Sequence, residues 1–125
     1  LEKNAAFIPT RKGITELKKL SIDEQNALIR QNSAYGRIVC RCESITEGEI
    51  VDAIRRPVGA RSLDGVKRRV RAGMGRCLGG FCSTRVMEIL ARELKANLVD
   101  ITKSGGEAKL ITGLAKQEAE KYETI

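Results

Sequence analysis

Histidine and tryptophan are missing from the 125 residues, and Phe, Tyr and Pro occur only twice each. With so few aromatics, aliphatic side chains must supply nearly all of the burial, at about 25 cal/mol per Å² of apolar surface. The same scarcity argues against a stacking surface for single-stranded nucleic acid. No run approaches the roughly 20 apolar residues that a membrane-spanning helix needs, so a soluble chain is expected. No charged-then-apolar leader of the secretory kind is evident either. Four cysteines without a sign of secretion favour metal binding or redox chemistry over a disulfide framework, and the expected compartment is the cytoplasm. Without histidine, a soft metal site has to be built from those four thiols.

What is present fits one small domain with tails. A hydrophobic share of 42% allows a modest core, and domains this thin in packing commonly add a bound metal as a staple. The net charge of +7 is unevenly placed. Between Arg37 and Arg85 eleven Lys or Arg face five Asp or Glu, whereas the rest of the chain carries twelve against eleven. The basic excess belongs to the cysteine-bearing segment and calls for an anion bound in it or docked on it.

The opening stretch, with Pro9 and Gly13, reads as an arm. Ser21-Ile-Asp-Glu24 is a capping-box pattern followed by helix formers to about Gln31, so residues 1–36 are expected to be an arm with one short helix. Thr46-Glu-Gly-Glu49 is a second capping box, with Ile50, Val51 and Ile54 on one face and Pro57 and Gly59 closing the helix. Leu63, Val66, Val70 and Met74 predict a further helix ending near Gly73. Ser83 is expected to cap a third, striped by Val86, Leu90 and Leu94. Residues 37–97 thus read as an all-helical, helix-turn-helix-type unit, giving a mainly α fold. Residues 98–125 form a C-terminal extension, with Leu98–Ile101 and Leu110–Thr112 as short strands or extended chain and a final helical run from Leu114 to Tyr122.

Cys40 and Cys42 stand one residue apart, 34 residues separate Cys42 from Cys77, and four separate Cys77 from Cys82. One pair precedes the first helix of the unit and the other precedes the third, so two antiparallel helices would bring both loops to one end, where four thiolates converge. Buried reduced cysteines would instead follow the helical stripe. Ligand type suits tetrahedral zinc or iron-sulfur equally, and the Cys-x-Cys spacing is only slightly unfavourable for zinc. Either centre carries about −2, and an iron-sulfur cluster takes a further negative charge on reduction. Arg37, Arg41, Arg76 and Arg85 adjoin the cysteines and could offset that charge. Gly73, Gly75, Gly79 and Gly80 would let the backbone turn through positive φ and aim amide N–H groups at sulfur. The N-terminus of the helix after Cys82 adds partial positive charge on the same side.

The run from Ile38-Val-Cys-Arg-Cys-Glu43 through Arg68-Arg-Val-Arg-Ala-Gly-Met-Gly-Arg-Cys77 to Gly80-Phe-Cys82 resembles the bacterioferritin-associated ferredoxin-like 2Fe-2S domain. The resemblance covers about half of the chain. It implies one 2Fe-2S cluster ligated by Cys40, Cys42, Cys77 and Cys82, with Arg41, Gly75, Arg76, Gly79 and Gly80 as its surroundings. Free-standing ferredoxins of that family close with Cys-x2-Cys. The Cys-x4-Cys ending here is similar to domains fused to flavoproteins, and the flanks Pro9-Thr-Arg-Lys12 and Ser33-Ala-Tyr-Gly-Arg37 look like the C-terminal part of FAD-dependent, anaerobic-type glycerol-3-phosphate dehydrogenases.

The resemblance therefore implies an electron-transfer domain of an oxidoreductase. FAD would sit in an N-terminal part of the parent, the flavin domain of the same polypeptide would be a partner, and a quinone or another carrier would be the downstream acceptor. Membrane association would come only through partner subunits, and no nucleic acid partner is expected. No residue is expected to be a catalytic acid, base or nucleophile. The rival reading is a zinc-stapled basic helical module that binds nucleic acid or a protein.

Overall fold

The computed structural model describes Glu2 and residues 4–115. The chain is mainly helical, in the order α1 (Ile22–Gln31), β1 (Ile38–Cys40), β2 (Ile45–Thr46), α2 (Glu47–Arg55), α3 (Leu63–Val70) and α4 (Ser83–Leu94). Short 3-10 turns lie at Leu17–Lys19, Ser33–Gly36 and Leu98–Asp100.

Both capping boxes close as the sequence predicts. Ser21 and Glu24 exchange side-chain and backbone bonds at the start of α1, and Thr46 and Glu49 do so at the start of α2. The second box is buried: the Thr46 amide donates to Glu49 Oε2 at 2.8 Å, and both residues are 1% exposed. Each such cap is worth about 1 kcal/mol, and this one fixes where α2 begins.

Helix α2 is the centre of the unit and is buried on nearly every side. Ile50, Ala53 and Ile54 face Val66 of α3 and Val86, Ile89 and Leu90 of α4 in one apolar cluster. At Gly48 the Tyr35 ring lies against the backbone, and the Tyr35 hydroxyl donates to Asp52 one turn on. Ile101, 2% exposed, closes the cluster from the C-terminal side, where the Leu63 and Asp64 amides donate to the Thr102 and Lys103 carbonyls.

Three details differ from the sequence reading. The unit is not all-helical, because Ile38–Cys40 and Ile45–Thr46 form an antiparallel ladder pairing Ile38 with Thr46 and Cys40 with Ile45. Helix α3 stops at Val70, since Arg71 adopts a left-handed conformation (φ 66°) and its amide returns to the Lys67 carbonyl. Met74 is thus outside the helix and exposed. Ser83 is the first residue of α4 rather than its cap, and its hydroxyl donates back to the Gly79 carbonyl. Beyond Asn97 the described residues form the Leu98–Asp100 turn and a bridge between Thr102 and Lys109. The helical run expected for Leu114–Tyr122 lies largely outside the described residues.

Candidate metal centre

The first two cysteines stand on the β1–β2 corner. Cys40 is the last residue of β1, so its side chain points into the core and is 1% exposed. Cys42 lies in the turn that follows and is exposed. The corner is held from below by charge. Glu47, at the first position of α2, accepts from Arg37 Nε at 2.7 Å and from Arg92 Nη1 of α4 at 2.8 Å, while its amide donates to the Arg37 carbonyl. Arg37 side-chain bonding, then Arg92, holds the Glu47 carboxyl at a pKa of about 2, against the opposing cost of its burial.

The other two stand on the loop between α3 and α4. It is built from successive turns, with the Met74, Leu78 and Gly80 amides bonding to the Arg71, Gly75 and Cys77 carbonyls. Gly73 and Gly79 sit at φ 91° and 84°, which glycine adopts without strain. Cys77 is exposed, whereas Cys82 occupies the position before α4 without a side-chain capping bond and is 3% exposed.

Each loop therefore supplies one exposed and one buried thiol, and like meets like. Cys42 Sγ and Cys77 Sγ are 3.6 Å apart. Cys82 lies beside Cys40; burial first, then that neighbour, pushes its thiol up to about 11. The Cys77 thiol is held below its ordinary value by the amide N–H groups of Phe81 and Gly79, and next by the Cys42 thiol. A cavity of about 220 Å³ joins the four sulfurs, walled also by Val39, Arg41 and Phe81.

The donor set fits a thiolate-bound iron or zinc centre. A tetrahedral metal binding sulfur at about 2.3 Å spaces two of its sulfurs about 3.8 Å apart, close to the Cys42–Cys77 separation. Within that cavity Cys42 and Cys77 form one close pair, and Cys82 has Cys40 as its neighbour.

Of the residues expected around the site, Arg41 lines the cavity and Gly79 turns the loop at φ 84°, its amide among the groups that lower the Cys77 pKa. Gly75 touches Cys42, where a Cβ would meet the Cys42 Cβ. The Gly80 amide bonds to the Cys77 carbonyl rather than to sulfur. Arg76 is exposed beside Cys77. Arg37 and Arg85 are engaged elsewhere, with Glu47 and Glu88, so they are not dedicated to the thiols. The Glu47 clamp leaves no local signal in the sequence, because its two arginines lie 10 and 45 residues away.

Residues 38–92 match the BFD-like 2Fe-2S binding domain, and all four cysteines fall within the match. This segment belongs to that family. Outside the segment the similarity continues: the chain is 55% identical over 120 residues to a glycerol 3-phosphate dehydrogenase of Caloramator mitchellensis, covering 96% of the chain and 25% of that protein. It is 45% identical over 65 residues to an opine oxidase component of Rhizobium meliloti, covering 51% and 12%. It is 34% identical over 70 residues to a component of the anaerobic glycerol-3-phosphate dehydrogenase of Escherichia coli strain K12, covering 56% and 13%. The chain thus spans a quarter or less of these relatives. No solved structure matches it. As a BFD-like domain, the segment has its cysteines on a strand corner and a turn-rich loop, and among the described residues no helix is long and apolar enough to cross a membrane.

Proposed function

We propose that Cys40, Cys42, Cys77 and Cys82 together hold one 2Fe-2S cluster and that the domain relays single electrons within a flavin-dependent oxidoreductase. The observation that carries this reading is the two-by-two pairing of thiols across the loops, an exposed pair 3.6 Å apart and a buried pair behind it. A two-iron centre needs two sulfurs at each iron, whereas one zinc ion needs all four around a point.

When bound, the cluster supplies a one-electron store. The chain's own residues set its surroundings. The Phe81 and Gly79 amides favour negative charge at the Cys77 sulfur, Cys40 and Cys82 keep one side dry, and Cys42 and Cys77 leave the other side at the surface. No catalytic acid, base or nucleophile is assigned among the described residues.

The relatives named as glycerol 3-phosphate dehydrogenases support the parent activity: oxidation of glycerol 3-phosphate or a related hydroxy compound, with FAD in another part of the polypeptide. A flavin accepts two electrons and a single cluster holds one, so the domain divides a pair into single steps toward a quinone or another carrier. Its place is the cytoplasm, with any membrane contact made through partner subunits. Residues 37–97 serve as the cluster unit, residues 1–36 as its arm and 98–125 as its extension.

Anaerobic purification tests the reading. Iron and acid-labile sulfide in equal amounts, at two of each per chain, with colour and an EPR signal on reduction, are expected. A colourless protein holding one zinc ion sinks it.

A further inference from the structure

Charge and apolar surface are arranged around the exposed thiols in a way that burial alone does not explain. In a chain with two phenylalanines, Phe81 is 81% exposed on the wall of the four-sulfur cavity, and Leu78 on the same loop is 86% exposed. Neither contributes to the core. The arginines divide just as clearly. Arg37, Arg71 and Arg85 are each bonded to a carboxylate, while Arg41 and Arg76, flanking the exposed Cys42 and Cys77, have no ion-pair partner among the described residues. Arg41 lines the same cavity as Cys42 and Cys77, Arg76 directly precedes Cys77 in the chain, and Gly75 brings the two loops into contact. The surface-facing half of the site is thus bordered by the exposed Phe81 and by Arg41 on the cavity wall, with the exposed Arg76 and Leu78 flanking Cys77 along the chain.

We infer that this is the face through which electrons pass, and that its occupant is a redox protein surface that is apolar at the centre and rimmed by carboxylates. The inference rests on the 2Fe-2S reading and adds the chemistry of the partner. Electron tunnelling falls steeply with distance, so a partner must approach the exposed sulfurs rather than the buried pair. Leu78 and Phe81 would expel water from that contact, and Arg41 and Arg76 would steer an acidic face onto it and repel a basic one. In the step itself one electron leaves the partner and enters the oxidised cluster, with no bond made or broken.

The test uses the cluster-loaded chain and two probes of opposite charge, a reduced acidic flavodoxin as donor and a basic cytochrome c as acceptor, followed by stopped-flow absorbance. The wild-type rate with flavodoxin should fall as salt rises from about 20 to 300 mM. Arg41→Glu combined with Arg76→Glu should slow the flavodoxin reaction about tenfold or more at low salt and speed the cytochrome reaction. Phe81→Ser should slow flavodoxin several-fold at both salt concentrations. Iron content and EPR spectra matching wild type confirm that the site itself is intact in each variant. Intact variants with unchanged rates, or rates that shift alike for both probes, overturn the docking face and leave the cluster reading standing. A wild-type protein without iron and sulfide overturns the cluster reading, and this inference with it.

Discussion

Gly75 lies against Cys42 so closely that a Cβ placed there would sit 2.1 Å from the Cys42 Cβ and 3.1 Å from its sulfur. The two cysteine loops meet at that contact, and a hydrogen atom is the only side chain that fits between them. Gly75→Ala should therefore push the loops apart and reduce bound iron per chain by more than half while far-UV circular dichroism stays helical. Full iron loading in the alanine variant would show that the loops have slack the structure does not indicate.

The second prediction concerns the metal as a staple. A structural metal can contribute on the order of 10 kcal/mol to folding, and the core here is small. Removing the metal with a chelator, or substituting Cys77→Ser, should lower Tm by well over 10 °C, a shift that about 2–3 kcal/mol would produce in a domain this size. Calorimetry on loaded and stripped protein measures it. Equal melting of the two forms contradicts the prediction.

The third follows from Glu47. Its folded pKa of about 2 lies below the ordinary carboxyl value of 4.5 because of Arg37 and Arg92. A depressed pKa means the stabilisation is complete above about pH 4.5 and is lost as pH falls toward 2. Such a displacement corresponds to about 3 kcal/mol, which solvent around the half-exposed guanidiniums reduces to about 1–2 kcal/mol. Glu47→Gln should be less stable than wild type by that amount at pH 7, and denaturant melts should show the gap closing between pH 4.5 and 2. A gap that is constant with pH would mean the carboxylate's charge contributes nothing.

The fourth separates two glycines. A Cβ at Gly48 would fall 2.4 Å from the Tyr35 ring, whereas one at Gly13 meets nothing within 4 Å. Gly48→Ala should cost about 1–3 kcal/mol through overpacking, and Gly13→Ala should change stability by less than about 0.5 kcal/mol. Urea midpoints compare them, and similar losses at both positions would refute the packing assignment.

Much of this architecture is readable because its signals are local. Thr46 and Glu49 are three residues apart, so their capping box shows in the sequence, as does the one at Ser21. The apolar spacing of Ile50 and Ile54, and of Val86 and Leu90, follows the helical period. The differences arise where tertiary geometry overrules that period. Met74 continues the α3 stripe, yet Arg71 turns left-handed and ends the helix one turn sooner. Ser83 looks like a cap, but its hydroxyl is used to bond Gly79 within the loop. The β1–β2 ladder is too short to leave an alternating pattern, so Cys40 reads as a loop residue when it ends a strand. Burial of one thiol and exposure of the other in each pair depends on that strand and on α4, and spacing alone does not separate them.

The clamp of Arg37 on Glu47, beneath the first cysteine pair, also bears on the order in which the site comes together. Strand, turn, cap and clamp between Arg37 and Glu49 involve residues no more than ten apart, apart from Arg92. Closing so short a segment costs little chain entropy, so this corner can form early and from its own sequence. The loop carrying Cys77 and Cys82 must arrive across 34 intervening residues and is held mostly by its own turns. The corner is thus a local template, and the second loop completes the four-thiol cavity only once the chain between them has folded back.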